Sequence, residues 1–392
     1  MTYDFDRIID RRNTDSEKWD VKPNELPMWV ADMDFEVAPD IRKTIQEKLD
    51  HGVFGYSLVS DRWYDAYISW WKRRHGFEMK KEWLMFCTGV IPAISSIVRK
   101  LTTPNENVLI QTPVYNIFFN SIVNNGCRAL ESPLRYENGL YSMDLEDLEE
   151  NLSKPQTTLM ILCNPQNPIG MIWEKDTLAK VGELAAKYGV TVIADEIHCD
   201  LTTPGQEYVP FASVSDTCRD ISITCIAPTK TFNIAGLKTS AICVPNEQLR
   251  HKVNRAINTD EVAEPNVFAV NAAIAAFEKG EPWLEELKVY LAENRKIAED
   301  FINKNIEGVH AIHGDATYLL WIDLSGLPGD KSRMADYIRK NSGLYLSEGR
   351  IYGKCGRDHL RMNLASPRSM CLDGLQRLKE SIEEYIKENS TS

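Results

Sequence analysis

No unbroken apolar run in the chain is long enough to cross a bilayer, so a membrane-spanning helix is not expected. No cluster of Lys and Arg offsets the acidic excess. With 57 Asp and Glu against 45 Lys and Arg, the net charge of -12 argues against general affinity for nucleic acid. The nine cysteines contain no C-x-x-C pair and are odd in number, which disfavours both a disulfide framework and a zinc site. No metal is expected, and reduced thiols in the cytoplasm are the simplest account of them. The opening MTYDFDRIIDRR carries charge where a secretory leader needs an apolar centre. Internal repeats, low-complexity tracts and glycine-rich linkers are missing as well.

What is present is ordinary in bulk and ordered in detail. A length of 392 residues exceeds one small core and predicts two domains, and 43% hydrophobic with 26% charged residues describes a globular, enzyme-sized protein. Residues 1–26 are polar with aromatic punctuation at Tyr3, Phe5 and Trp19, which predicts an arm lying over the body or over a partner subunit. In PMWVADMDF, Asp34 sits among apolar neighbours and must find a partner, with a structural tie favoured over a site role. Apolar spacing predicts helices over 39–49, 61–74, 178–188, 281–305 and 372–387. The aromatic stripe Trp63, Tyr67, Trp70 and Trp71 reads as core.

Between the helices, runs rich in β-branched and apolar residues end in polar turns. Strands alternating with helices imply a parallel, doubly wound sheet, whose ligands bind at the C-terminal ends of the strands. One run, Ile221 to Ile226, stops at Pro228 and places Lys230 on a loop just past the strand. Others end at Tyr115, at a turn holding Asn164 and Asn167, and at Asp195 and His198. In CTGVIPAISSIVRKL, Thr88 and Gly89 precede a helix with Pro92 in its first turn, so Gly89, Val90 and Ile91 offer free backbone donors to an anion.

Together these rim residues suit a phosphorylated aromatic aldehyde. Lys230 supplies an imine-forming amine, and the 88–91 helix start with Lys238 supplies donors for a phosphate. Asp195 pairs with a protonated ring nitrogen, which turns the ring into an electron sink. Asn167 and His198 hold a phenolic oxygen, Tyr115 stacks on one face and Ile197 packs on the other. Singly, each residue has an ordinary explanation: Asp195 as a helix cap, His198 as a satisfied core histidine, Asn167 as a turn former, Tyr115 as packing. Their joint placement at successive strand ends is the argument.

The motifs YDFD, IDRR, KWD, LPMWVADMDF, Gly55-Tyr56, TGVIPAI, TPVY, CNPQNPIG, ADEIHCDL, PTKTFNIAGL and LRMN run over nearly the whole length. As an ensemble they resemble the pyridoxal-phosphate enzymes of the aspartate aminotransferase fold, and more narrowly the MalY/PatB group of cystathionine β-lyases and cysteine-conjugate C-S lyases. The resemblance implies an α/β architecture of fold type I: a large doubly wound, mostly parallel sheet domain plus a smaller α+β domain. It implies an N-terminal arm with part of the small domain over 1–45, the large cofactor-binding domain over 46–285 and the small domain over 286–392. It implies pyridoxal 5'-phosphate as cofactor, with Lys230 as the Schiff-base lysine, Asp195 as the pyridinium partner, Asn167 and His198 at the phenolic oxygen, Thr229 beside the cofactor, Ala31 beside the substrate, and Arg361 as the clamp on the substrate α-carboxylate. It also implies a homodimer, in which Tyr56 reaches the neighbouring subunit's cofactor phosphate.

The chain departs from the group at Gln166, where His is usual, and at Met171, where Arg is usual. Lys238 stands where the wider superfamily often has Arg, while His198 stands where ordinary aminotransferases have Tyr, which favours the lyase group. The implied reaction is α,β-elimination of L-cystathionine or a related cysteine S-conjugate to a thiol such as homocysteine, pyruvate and ammonia. An aminotransferase would use the same residues, and a MalY-like regulatory binding protein would keep the fold without needing Lys230.

Overall fold

The computed structural model describes residues 2–390. Seven segments form its large sheet: β1 (Leu84–Cys87), β2 (Asn107–Thr112), β3 (Arg128–Pro133), β4 (Thr157–Cys163), β5 (Thr191–Asp195), β6 (Ser222–Ile226) and β7 (Ser240–Cys243). Their spatial order is β1-β7-β6-β5-β4-β2-β3, and β7 alone runs against the others. Central strands bury both faces, which is why they read as continuous apolar runs. In β2, Val108 and Ile110 enter one core with the Val90–Leu101 helix, while Leu109 enters another with the Lys175–Lys187 helix.

Register brings the polar strand ends together. Asp195, the last residue of β5, lies opposite Cys163 of β4 on one side and Cys225 of β6 on the other. The turns leaving those strands, carrying Asn167 and Lys230, therefore flank Asp195. Because β7 runs backwards and pairs Ser240 with Cys87, the residues entering it, Lys238 and Thr239, share a rim with Thr88 and Gly89, which leave β1.

A second sheet of four antiparallel strands lies in the C-terminal part, in the order His310–Ile312, Leu319–Asp323, His359–Asn363, Ser347–Glu348. The Glu281–Asn305 helix joins the two regions, as the amphipathic spacing and Pro282 in its first turn predict. Its first half packs Trp283, Leu284, Leu287 and Tyr290 against the Trp63 to Trp71 stripe, which is fully buried, and its second half packs Ala298 and Ile302 beneath the small sheet. The Asp61–His75 helix ends at Gly76, whose φ of 62° is the left-handed cap that glycine adopts without strain.

Two elements differ from the sequence expectation. Lys230 stands on a single helical turn, Pro228–Thr231, rather than on a loop, because proline presets the first helical residue and Phe232 N–H closes onto Pro228 O at 2.9 Å. The final helix starts at Arg368, four residues before the expected position, as Met370 N–H and Cys371 N–H both close onto Pro367 O.

The arm has no helix or strand among its described residues before Leu26 and is tied down by charge. Asp34, 2% exposed, accepts from Lys18 Nζ at 2.6 Å, Arg11 Nη1 at 2.7 Å and Trp19 Nε1 at 2.8 Å. It is the structural tie that its apolar setting favours. Asp34→Ala removes the carboxylate 2.6 Å from the buried Lys18 ammonium and leaves it only Asp32 at 3.7 Å, so unfolding in urea should show a loss of about 3 kcal/mol. A shift below 1 kcal/mol would contradict this.

Candidate active site

A cavity of about 200 Å³ opens at the rim where these turns meet. Twelve of the sequence-predicted residues line it: Ala31, Gly89, Val90, Ile91, Tyr115, Asn167, Asp195, Ile197, His198, Thr229, Lys230 and Lys238. Each comes from a turn that follows a parallel strand or precedes the antiparallel one, apart from Ala31, which arrives on the segment linking the arm to the body. The Val90–Leu101 helix points its first turn at the cavity, and its first amides lack intrahelical acceptors.

Lys230 is partly buried and lines the cavity, and its Nζ donates to Ala31 O at 2.6 Å. Burial lowers its pKa to about 8; Arg361 pushes the same way, and Asp32 and Asp195 resist. An amine held this low has a substantial neutral fraction at physiological pH, as a nucleophile or a base requires.

Asp195, 4% exposed, accepts from Ile197 N–H at 3.1 Å. Burial nevertheless pushes its carboxyl up to about 7, against the pull of that donor and of Lys230. A partner cation at the cavity floor would return it to the ionised form. His198 is buried and its Nδ1 has no partner. Burial first, then Lys230 and Arg361, lowers its pKa to about 3, so the ring is neutral at working pH.

Arg361 does not line the cavity but stands behind it. On the His359–Asn363 strand it lies opposite Trp321 and Ser347, and its Nη1 donates to Asn167 Oδ1 at 3.2 Å. With that oxygen engaged, the Asn167 amide has its NH2 left for a ligand. Arg361 Nη2 donates to Trp29 O at 2.8 Å, while its buried Nε has no partner. Next to it, Asn363 Nδ2 donates to Val30 O and Asp32 O, both at 2.6 Å, and Tyr318 OH donates to Ala31 O at 2.9 Å. The segment 29–32, bent at Val30 and Ala31, is thereby strapped down by its own carbonyls.

Sequence reasoning passed over Tyr318, Asn363 and Thr239. Thr239 lines the cavity only because β7 is antiparallel, and the other two act through backbone partners far along the chain. Tyr56 is fully exposed and lies outside the cavity. Gln166 is buried and donates to Pro113 O at 2.8 Å, tying the turn before Asn167 to the turn before Tyr115. Met171 packs into the apolar core beside the Lys175–Lys187 helix.

The family model of class I and II aminotransferases matches residues 26–378. Cystathionine beta-lyase PatB of Bacillus subtilis (strain 168) is 41% identical over 385 residues, covering 96% of this chain and 99% of that protein. Protein MalY of Escherichia coli (strain K12) is 31% identical, covering 97% and 99%. Cystalysin from Treponema denticola, whose structure contains pyridoxal 5'-phosphate, superposes with a TM-score of 0.95 at 31% identity, covering 98% of this chain and 100% of that one. The PLP-bound C-S lyase from Staphylococcus hominis gives a TM-score of 0.91 at 33% identity, covering 97% and 98%. On matches that run end to end, over both the rim residues and the strand of Arg361, the chain belongs to the class I and II aminotransferase family.

Proposed function

We propose that the chain is a pyridoxal-phosphate-dependent carbon-sulfur β-lyase that cleaves L-cystathionine or a related cysteine thioether to a thiol, pyruvate and ammonia. One observation carries the reading: a buried lysine amine with a lowered pKa shares a cavity with a buried carboxyl, and an arginine with a free buried Nε stands behind it. The lyase names of the full-length relatives support it. The site fits the cofactor. His198 Nδ1 is a buried polar atom without a partner, and Asp195 holds a carboxyl whose burial only a cation would compensate.

Bound there, pyridoxal 5'-phosphate supplies an aldehyde that forms an imine with an amine and a protonated pyridine ring that accepts electrons from Cα. The amides of Gly89, Val90 and Ile91, with Thr229 and Lys238, would hold its phosphate. Asp195 would keep a proton at the ring nitrogen, Asn167 and His198 would hold the phenolic oxygen, and Tyr115 and Ile197 would cover the two faces. Arg361 binds the substrate α-carboxylate, which replaces Trp29 O among its acceptors, beside Ala31. Lys230 Nζ, once free, would take the Cα proton and pass it to the departing sulfur as the Cβ–S bond breaks, and water would hydrolyse the three-carbon enamine that remains to pyruvate and ammonia.

A homodimer and a cytoplasmic location belong to the same reading. The exposed Val53, Phe54, Tyr56 and Leu58 form an apolar flag suited to a second copy, where Tyr56 would meet the neighbour's cofactor phosphate. Among the described residues no helix is long and apolar enough to cross a membrane.

Pyruvate release from a panel of cysteine thioethers, read beside transamination of amino acids lacking a β leaving group, tests the reading. Elimination should dominate. A silent panel with brisk transamination would overturn it. Arg361→Lys replaces a fork with a point charge and should raise KM on the order of 100-fold while lowering kcat far less.

A further inference from the structure

Outside the cavity lining lies a buried carboxylate that the reading above leaves without a task. Asp200 ends the turn after Asp195 that also carries His198, and its side chain is fully buried. Burial alone would push its carboxyl up, yet it is held below its ordinary value by His75, Arg74 and Trp70. It is therefore an ionised group surrounded by donors. Trp70 Nε1 donates to both oxygens, at 3.0 and 3.2 Å. His75 Nε2 lies 3.0 Å from Oδ1, and Arg74 Nε 3.6 Å. The last donor is Thr231 Oγ1, at 3.3 Å from Oδ2. Thr231 follows Lys230 directly and is itself fully buried.

The next side chain is clamped as well. Phe232 is fully buried, edge-on to Trp70 with ring centroids 5.8 Å apart and stacked on Trp283 at 6.1 Å. A Cβ on Gly280 would come within 2.4 Å of the Phe232 ring, so the close approach needs glycine there. Trp70 thus serves both clamps, giving its N–H to Asp200 and its ring to Phe232. The helix carrying Trp70 and His75 is 15 residues long and anchored by the buried Trp63, Ala66, Tyr67, Trp70 and Trp71, whereas the Lys230 turn is a four-residue helix that could not hold its own geometry.

We propose that Asp200 and Trp70 are positioning residues for the reactive lysine: they lock Thr231 and Phe232 against the Asp61–His75 helix, and so hold Lys230 Nζ inside the cavity opposite Asp195. His75, Asp200 and Cys199 also have ligand atoms within 4.8 Å of one another, a grouping that could hold a metal ion. The lone pairs of Asp200 are already taken by Trp70, His75 and Thr231, and the Arg74 guanidinium stands where a second cation would be repelled. The cluster is a clasp.

This inference rests on Lys230 being the lysine that binds the cofactor. The informative variant is Thr231→Val, which keeps the shape and removes only the hydroxyl donor, while Asp200 retains its other partners. In the cofactor-loaded enzyme, kcat for pyruvate release should fall about tenfold with KM within twofold, and Thr231→Ser should restore most of it. In the apoprotein, the pH dependence of Lys230 labelling by an amine reagent, read by mass spectrometry, should move upward, because a loosened turn lets the amine reach water. Asp200→Asn should give the same two changes, larger.

A folded Thr231→Val with unchanged kcat and unchanged labelling profile overturns the proposal. So does a stoichiometric metal ion in the purified enzyme that His75→Ala removes. Borohydride trapping separates the two levels: if the wild type is not trapped at Lys230, the reading of the site fails, whereas trapping with a silent Thr231→Val fails the clasp alone.

Discussion

Lys230→Ala should lose borohydride-stable attachment of the cofactor altogether and lower pyruvate release on the order of 10⁴-fold or more. In the proposed reading one atom carries two tasks, since Nζ would hold the cofactor aldehyde and then move the Cα proton, and general base catalysis alone accounts for about 10²- to 10⁴-fold. The loss should be almost entirely in kcat, because Arg361, Asn167 and the helix start remain to bind substrate and cofactor. The reactivity of the same amine has a pH signature. With its pKa lowered to about 8 by burial, Lys230 in the apoprotein should label at a rate that falls about tenfold per pH unit below that value and levels off above it. An exposed lysine would still be gaining rate at pH 10. Turnover within tenfold of wild type in the alanine variant, or a labelling profile centred on the ordinary lysine value, would remove Lys230 from the centre of the site.

Most of that site was legible because chemistry and topology coincide. A parallel strand buried on both faces must be apolar, so the polar residues that follow each run mark the rim; that is how Asp195, His198, Asn167 and Lys230 could be picked out before any fold was known. The residues that escaped did so for physical reasons. Thr239 precedes its strand rather than following it, and only the antiparallel pairing of Ser240 with Cys87 brings it to the same rim. The carbonyls of Trp29, Val30, Ala31 and Asp32 leave no mark on a sequence, because any residue has one. Their partners Arg361, Asn363 and Lys230 lie 199 to 333 positions away. Asp200 falls inside the ADEIHCDL motif, yet the role proposed for it depends on Trp70, which the aromatic stripe assigns to core, and on His75, which lies just past the helix predicted over 61–74. The single turn under Lys230 is likewise a tertiary product: its geometry comes from Pro228 and from the packing of Phe232.

Asp195→Asn should have opposite effects on stability and on activity. In the apoprotein burial pushes the Asp195 carboxyl from its ordinary 3.8 up to about 7. Below pH 4 the carboxyl is protonated in folded and unfolded chains alike, and there is no penalty. As pH rises from 4 to 7 the unfolded chain releases this proton while the folded one retains it, so stability falls through that window and then stays level. The accumulated cost is on the order of 4 kcal/mol. Asparagine has no proton to lose and can still accept from Ile197 N–H. The variant apoprotein should therefore be the more stable one at pH 8, by a few kcal/mol, with the gap closing near pH 4, as measured by urea unfolding at the two pH values. The loaded enzyme should show the reverse, with turnover down on the order of 10³-fold, since an amide cannot keep the ring nitrogen protonated. A stability gap that ignores pH would mean that the charge of Asp195 is already compensated without the cofactor. The buried carboxyl would then no longer be the feature that prepares the cavity for a cationic ring.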